Sequence, residues 1–340
     1  MQKRFGLSAA ILALTMAMAL TPRPALSQQR SLPEGIEKRP YMGWPESLIL
    51  DGDLVQAIVV PAIGGRITHY SLNGENIIYE IPESAGKTLA NTKTNFSVGG
   101  YQCDIGPEIR GIPPHPALWM GAHSWQASKA HTLKLASPVE IGLQIDKEIL
   151  IEPDSGDLGI TQRLRNVSGQ SVSYCLWDRT LCKGGGFAFF PLNKRSRFPA
   201  RWSLRREVDG KYLYDGQSPA SPNVKVFDNL LVAKCSGPAT KLGADSDAGW
   251  IAYARGKVLF VKFYPYFPEG KYTDGGNSVE VYFDERVGEL EPLSPEIQLQ
   301  PGENYSFPEM WTLIELEKEV TSHEQVRGLL KKIPPSPFKR

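Results

Sequence analysis

The chain is 340 residues long and nearly neutral, with a formal net charge of +1 from 38 basic and 37 acidic residues. This balance excludes a general nucleic-acid-binding protein, which would carry a strong excess of Lys and Arg. The length allows two domains, but β-sandwiches and barrels often run past ~200 residues as one unit.

Residues 1–27 have the three parts of a cleavable signal peptide. Lys3 and Arg4 give a positive start, an apolar run extends from Phe5 to Leu20, and small residues precede a cut after Ser27. A membrane anchor is the alternative, but the apolar run is shorter than the ~20 residues that a spanning helix needs, and two prolines follow it. We therefore expect cleavage after Ser27 and a periplasmic or secreted protein that has no contact with a membrane.

The rest of the chain is dominated by an alternation of apolar and polar residues that is typical of β-strands. Apolar residues recur at every second position within 139–145, 158–164 and 279–283, and Gly, Pro, Asn and Asp separate these segments. The pattern predicts an all-β fold, either a sandwich or a barrel. No internal repeat and no clean linker is visible, so we expect one β domain over residues 28–317.

Two segments depart from this pattern. Residues 91–125 are rich in Gly, Pro and aromatic residues and show no sustained alternation, which is typical of a functional loop. Near the C-terminus, Ser322 is placed to cap a helix. Residues 318–340 are therefore expected to form a short helix and a tail.

Nothing in the sequence indicates a metal or a cofactor. The four cysteines show no CxxC spacing, which disfavours a structural zinc site. His115 and His123 are the nearest approach to a metal-binding pair, but no third ligand stands at a characteristic spacing. We expect no metal and no cofactor.

Two separated stretches resemble the galactose-mutarotase-like (aldose 1-epimerase-like) superfamily. VVPAIGGRI at 59–67 is similar to an early strand–turn–strand of these proteins. VGELEPLSP at 287–295, followed by LQPGE at 299–303, is similar to their late strand and the turn after it. Residues 250–254 and 272–276 also fit a subgroup without assigned activity. The resemblance implies a large antiparallel β-supersandwich that binds sugar across the concave face of one sheet.

The resemblance also implies a catalytic base. Interconverting sugar anomers needs a base that takes the proton of the anomeric hydroxyl and an acid that protonates the ring oxygen. In these proteins the base is a Glu on the late strand, and the matching position here is Glu291. Glu289 is the alternative, because residues two apart in a strand lie on the same face. Two surface carboxylates beside a turn are the non-functional interpretation.

The general acid of the family is a His on a central strand, and this sequence has none at the matching place. The stretch reads CLWDRT at 175–180. Asp178 would be an acid if burial raised its pKa, whereas Arg179 beside it favours the charged form. His123 is the other candidate. We expect Asp178 or His123 to complete a catalytic pair with Glu291.

Further residues are expected to bind the hydroxyls of the sugar or to stack on its ring. Arg66 follows two glycines that let the backbone turn tightly, and the resemblance gives the matching Arg a role in binding hydroxyls. Aromatic faces stack on pyranose rings while polar groups fix the hydroxyls. The predicted substrate-binding residues are Arg66, Arg179, Glu289, Trp125, Tyr272 and Asp274.

A basic stretch at 193–211, followed by Tyr212 and Tyr214, favours a second enzyme class. Arginines and aromatic rings together would suit uronic-acid or sulfated glycans. Three interpretations therefore stand: an exported aldose epimerase with an altered general acid, a polysaccharide lyase acting on acidic glycans, and a non-catalytic carbohydrate-binding module. Each predicts a free sugar or an extracellular glycan as the partner.

Overall fold

The structure, a computed structural model, describes residues 31–92, 96–108 and 114–338. The predicted signal peptide at 1–27 lies outside these residues, and its cleavage stays a prediction. From Leu32 onward the chain forms one compact unit. No helix in the described part is long and apolar enough to cross a membrane.

The described residues form 23 strands, which pair antiparallel and confirm the predicted all-β fold. In chain order the strands are β1 (Ile36–Tyr41), β2 (Trp44–Asp51), β3 (Val55–Val60), β4 (Arg66–Leu72), β5 (Glu75–Asn76), β6 (Tyr101–Gly106), β7 (Ser124–Lys129), β8 (Thr132–Ala136), β9 (Leu143–Ile151), β10 (Leu158–Asn166), β11 (Val172–Lys183), β12 (Phe187–Pro191), β13 (Ser203–Val208), β14 (Lys211–Asp215), β15 (Val224–Phe227), β16 (Leu230–Lys234), β17 (Thr240–Ala244), β18 (Trp250–Arg255), β19 (Val258–Phe263), β20 (Val279–Phe283), β21 (Val287–Pro292), β22 (Ile297–Leu299) and β23 (Asn304–Glu315). The helices are α1 (Pro116–Trp119) and α2 (His323–Arg327), with 3₁₀ turns at Pro61–Ile63, Pro82–Ser84, Asp274–Gly276 and Gly328–Lys332.

The strands form two large sheets. Sheet 1 has the order β1-β2-β3-β4-β6-β11-β21-β20-β17-β13-β14, with β22 added beside β11 and β5 beside β4. Sheet 2 has the order β15-β16-β12-β18-β19-β23-β10-β9-β8-β7. The last strand of the chain, β23, therefore lies in the middle of sheet 2, between β19 and β10.

Alternation along the strands builds the core between the two sheets. In β9 and β10 every second side chain is buried and the residues between them are half-buried or exposed, as the period of two requires. The strand predicted to begin at Val139 begins at Leu143 instead. Ile141 and Gly142 have positive φ angles and form a turn, so Val139 and Ile141 are exposed to solvent.

The segment predicted as an irregular loop contains a central strand of sheet 1. All six residues of β6 are buried, which removes the alternation that would reveal a strand. One face of β6 packs in the core, where the Tyr101 ring meets Trp311 edge to face at 5.2 Å. Phe260 also lies against Trp311, at 5.1 Å. Each such aromatic pair contributes ~0.5–1.5 kcal/mol beyond the apolar area it buries.

The C-terminal helix covers part of the outer face of sheet 2. The Ser322 hydroxyl accepts a hydrogen bond from the Gln325 backbone N–H, and the Gln325 side chain accepts one from the Ser322 N–H, a reciprocal cap that fixes the start of α2. Val326 and Leu329 then pack on apolar side chains of this outer face, including Phe189. The helix predicted after Ser322 is thus present, and it ends in the 3₁₀ turn Gly328–Lys332.

Candidate functional site

Strand β11 shows which side chains lie on each face of sheet 1. Asp178 and Thr180 point toward sheet 2, where both contact the ammonium of Lys262 in β19. Trp177 and Arg179 therefore lie on the opposite, outer face, because successive side chains of a strand alternate. The registers of β6, β21, β20 and β17 place five more charged side chains on this outer face. The charged cluster is defined as Asp104, Trp177, Arg179, Lys241, Glu280, Glu289 and Glu291.

The ammonium of Lys241 is the centre of the charged cluster. Its Nζ is 2.8 Å from Glu291 Oε2 and 2.9 Å from Glu280 Oε2. A third carboxylate, that of Glu108 in the loop after β6, is also at 2.9 Å. Burial alone would lower the pKa of Lys241, but these carboxylates raise it above its ordinary value. Trp177 Nε1 donates to the same oxygen of Glu291 at 2.8 Å, so Glu291 is held by two donors and is only 1% exposed.

Arg179 links the cluster to a pair of tryptophans. Its Nε donates to Asp104 Oδ2 at 2.8 Å, and its Nη1 lies 3.9 Å from Glu289 Oε1. The guanidinium carbon lies 4.6 Å from the ring centre of Trp177 and 5.7 Å from that of Trp119 in α1. The side chain is 13% exposed. Contacts on several sides therefore hold the Arg179 side chain in place, and part of it remains exposed to solvent.

Glu289 has a shifted pKa. Burial and the neighbouring charge of Glu291 raise the pKa of Glu289 to about 7, although Arg179 and Lys241 act in the opposite direction. Its side chain is 11% exposed, and its Oε1 accepts no hydrogen bond from the described residues. A carboxyl group with a pKa near 7 can both accept and donate a proton at neutral pH. Glu289 therefore has the ionisation that proton transfer requires.

Arg66 lies on the same face, at the start of β4. Its Nη1 donates to the Gly99 carbonyl at 2.7 Å, and its guanidinium lies 6.0 Å from the ring centre of Trp119. Burial lowers the pKa of Arg66 to about 9. Close packing requires the first of the two glycines that precede Arg66. This residue, Gly64, has a φ of 88°, and a Cβ there would lie 2.0 Å from the Trp119 carbonyl oxygen.

Asp178 lies on the other side of sheet 1 from Glu289 and Glu291. It is fully buried between the sheets, where its carboxylate pairs with the ammonium of Lys262. Burial and the nearby carboxylate of Glu309 raise the pKa of Asp178 well above its ordinary value. Asp178 was expected to complete a catalytic pair with Glu291, but the two side chains lie on opposite faces of sheet 1, since Asp178 faces Lys262 of sheet 2. Asp178 joins the two sheets instead.

His123 and Trp125 also lie apart from the charged cluster. The imidazole of His123 is buried behind the glycine turn, where Nε2–H donates to the Leu118 carbonyl at 3.1 Å. Burial and the nearby ammonium of Lys147 lower the pKa of His123 to about 3, so the ring stays neutral. Trp125 lies on β7 at the edge of sheet 2 and packs against the core. Neither side chain is brought together with Glu289.

The loop between β19 and β20 holds the last two predicted residues. Tyr272 stacks on Tyr266 with ring centres 5.8 Å apart, and its hydroxyl accepts a hydrogen bond from the Phe267 N–H. Both of these contacts lie within its own loop. Asp274 accepts a hydrogen bond from the Glu108 N–H at 3.3 Å, and burial raises its pKa to about 6. Asp274 therefore borders the charged cluster.

Several residues of the site are absent from the sequence-based prediction. The alternation of side chains along each strand would have identified some of them. Trp177 and Arg179 are two residues apart in one strand and must share a face, and the same holds for Glu289 and Glu291. The cross-strand partners of these residues lie on that face as well. The strand registers that place the remaining residues beside them cannot be deduced from the sequence. The residues found only in the structure are Asp104, Glu108, Trp119, Trp177, Lys241 and Glu280.

Four arginines of the basic stretch 193–211 pair with acceptors of the chain itself. Their partners are Asp245 for Arg197 (3.8 Å), the Asn229 side chain for Arg201 (2.7 Å), Glu108 for Arg205 (2.5 Å) and Asp215 for Arg206 (3.0 Å). Three of these partners are carboxylates, so part of the positive charge of the stretch is compensated within the chain.

The described residues contain no group of three or more His, Cys, Asp or Glu side chains that could hold a metal ion. The four cysteines are buried free thiols. Their burial raises the pKa of each thiol above its ordinary value, which keeps the thiols protonated.

The two antiparallel sheets define a galactose-mutarotase-like β-supersandwich. A candidate aldose 1-epimerase from Escherichia coli K12 has a TM-score of 0.55 and 11% identity, and the match covers 83% of this chain and 100% of that one. A galactose mutarotase-like protein from Lactobacillus casei ATCC 334 has a TM-score of 0.53 and 10% identity, with 79% and 100% covered. A galactose mutarotase-like protein from Clostridium acetobutylicum has a TM-score of 0.52 and 9% identity, with 83% and 98% covered.

These structural matches confirm the predicted resemblance at the level of the fold. No protein-family model matches the sequence, and no curated protein does. The fold serves many activities, so function has to be argued from the site itself.

Proposed function

We propose that this is a carbohydrate-binding protein whose sugar lies over Arg179 and Glu289 on the outer face of sheet 1. One observation carries the proposal. Around Arg179, two acceptors and two donors are buried without a hydrogen-bond partner among the described residues: Asp104 Oδ1, Glu289 Oε1, Arg66 Nη2 and Trp119 Nε1. Buried polar atoms are nearly always hydrogen-bonded, so their concentration at one place indicates a polar ligand.

A sugar matches the chemistry of these four atoms. Each hydroxyl donates one hydrogen bond and accepts up to two, so neighbouring hydroxyls can serve carboxylates and N–H donors together. The Trp119 ring, which lies near the guanidinium groups of Arg66 and Arg179, adds an aromatic surface of the kind that ligand sites use. Arg179 and Glu289 are the partly exposed members, and an incoming ligand meets them first.

We further propose that the protein interconverts sugar anomers, with Glu289 as the proton-transfer group. At neutral pH its carboxylate form takes the proton of the anomeric hydroxyl, the bond from the anomeric carbon to the ring oxygen breaks, and the proton is returned to the ring oxygen. Rotation of the aldehyde and the reverse steps give the other anomer. The pKa of about 7 supports both directions of transfer, and the guanidinium of Arg179 stabilises charge on the reacting oxygens.

Export, which the N-terminal sequence predicts, belongs to the same proposal. A periplasmic or secreted protein meets free sugars and extracellular glycans rather than sugar phosphates. The cluster fits such ligands, because its guanidinium and ammonium groups are already paired with carboxylates and leave no unpaired cation there for a phosphate.

The binding proposal is tested by saturation-transfer NMR with D-glucose, D-galactose, D-mannose and D-xylose. We expect at least one aldose to bind the wild type and Arg179→Met to weaken that binding at least tenfold, because it removes charged hydrogen bonds worth ~1.5–3 kcal/mol each. Arg286→Met is the matched control, since Arg286 pairs only with nearby Asp284 at the surface. Absence of binding for every aldose and for longer glycans contradicts the proposal.

Catalysis is tested separately by polarimetry on freshly dissolved anomers of the sugar that binds. We expect wild-type protein to accelerate equilibration above the buffer rate and Glu289→Gln to bind without accelerating it. Binding without acceleration by the wild type would leave a non-catalytic binding module. Full activity of Glu289→Gln would exclude Glu289 as the proton-transfer group.

A further inference from the structure

A β-hairpin with two tyrosines lies at the edge of sheet 1, next to the charged cluster. Strands β13 and β14 form this hairpin, and its register places Arg205 opposite Tyr214 and Glu207 opposite Tyr212. Leu204 pairs with Leu242 in β17, so Arg205 comes beside Lys241 of the cluster. The tyrosines of the hairpin therefore share the outer face with Glu289.

A groove of about 350 Å³ connects the hairpin to the cluster. Tyr282 and Lys241 line one end, and Arg205 and Tyr212 line the other. Tyr282 is the cross-strand partner of Glu289, so the groove begins where the proposed sugar site ends. A second groove of about 620 Å³ lies beyond it, and Tyr212 lines both.

The length of this surface exceeds one sugar ring. Glu289 lies on β21, and three strands (β20, β17 and β13) separate it from β14. Neighbouring strands are ~4.8 Å apart, so the surface from Glu289 to the hairpin is about 19 Å long. A single pyranose bound over Glu289 cannot reach Tyr212, whereas a chain of sugar units can.

The walls of the groove have the character of a saccharide subsite. Tyr212 and Tyr282 are half-buried, so part of each side chain remains available to a ligand. Polar groups lie between them, and the charged ones are compensated. The guanidinium of Arg205 lies 4.2 Å from the Tyr212 ring centre and pairs with Glu108, which also neutralises Lys241. Aromatic walls with compensated polar groups suit a neutral sugar.

We propose that the β13–β14 hairpin forms a second saccharide subsite centred on Tyr212, and that the ligand is therefore a neutral glycan of at least two sugar units. This inference rests on the proposed sugar site over Arg179 and Glu289. It adds the class of ligand, a glycan chain rather than a free monosaccharide, and the direction in which the chain runs across sheet 1.

The test compares monosaccharides with matching oligosaccharides by isothermal titration calorimetry. The probes are D-glucose with cellotetraose and maltotetraose, D-mannose with mannotetraose, and D-xylose with xylotetraose. We expect one tetrasaccharide to bind the wild type at least tenfold more tightly than its monosaccharide. Tyr212→Ala should lower this ratio about tenfold, because it removes an aromatic wall, and Tyr212→Phe should keep it.

Val208→Ala is the matched control, because Val208 is exposed on the other face of the same hairpin and lines neither groove. It should leave the ratio unchanged, and unaltered far-ultraviolet circular dichroism and urea-unfolding midpoints should show that the variants are folded. If monosaccharide and tetrasaccharide bind equally, or if Tyr212→Ala keeps the ratio, the second subsite is refuted while the sugar site stands. If neither class of probe binds the wild type, the proposed function fails and the second subsite fails with it.

Discussion

Glu289 should make the stability of the folded protein depend on pH, and Glu289→Gln should remove that dependence. Burial and the charge of Glu291 raise the pKa of Glu289 from an ordinary 4.5 to about 7. A carboxyl group with a raised folded-state pKa stabilises the protein below its unfolded-state pKa, and this contribution is lost as the pH rises through the folded-state pKa. The window therefore runs from about pH 4.5 to about pH 7. Since a tenfold change in proton affinity is worth ~1.4 kcal/mol, the loss is about 3 kcal/mol.

Urea unfolding of the wild type and Glu289→Gln, at intervals between about pH 4.5 and about pH 7.5, measures this loss. Every other titrating group is common to the two proteins, so the difference between their free energies of unfolding reports Glu289 together with its coupling to the charges around it. We expect the variant to gain about 3 kcal/mol relative to the wild type across the window. Glu269→Gln, at an exposed position of the loop after β19, should show no such gain. Parallel curves for the wild type and Glu289→Gln would refute the raised pKa and, with it, the role of Glu289 in proton transfer.

Two further variants test the interior of the fold by urea unfolding. Lys262→Met leaves the buried carboxylate of Asp178 without its cation and should lower the free energy of unfolding by ~3–5 kcal/mol. Lys271→Met, at an exposed position, is the control and should change the free energy of unfolding by less than ~0.5 kcal/mol. Equal effects of the two substitutions would show that the buried pair is not formed. Gly64→Ala and Gly74→Ala both force Ala into a positive φ, at ~1–2 kcal/mol, but only the first brings a Cβ to 2.0 Å from a carbonyl oxygen of Trp119. Gly64→Ala should therefore cost ~1–3 kcal/mol more than Gly74→Ala, and an equal cost would mean that α1 does not pack on the turn as described.

Much of the fold was predictable because its strands follow a simple physical rule. β9 and β10 have one face toward the core, so burial alternates along them and the sequence shows it. β6 could not be found in this way. It has the core on one side and the charged cluster on the other, so both of its faces are enclosed and the alternation disappears.

The site was predictable only where it depends on a single strand. Glu289 and Glu291 are two residues apart on β21, and their common face follows from the sequence alone. The raised pKa of Glu289 does not, since it arises chiefly from the burial that the neighbouring strands impose. The same rule of alternation, applied to CLWDRT, would have separated Asp178 from Arg179 and directed attention to Trp177.

The central position of β23 has a consequence for the order in which the protein can be assembled. The strands β7–β10 and the strands on the β19 side of sheet 2 meet only through β23, the last strand of the chain. As the chain grows from its N-terminus, each half of sheet 2 ends in an open edge until residues 304–315 have emerged. Unpaired edges invite association with other chains. The two halves of sheet 2 can therefore join only after the segment that forms β23 has been made.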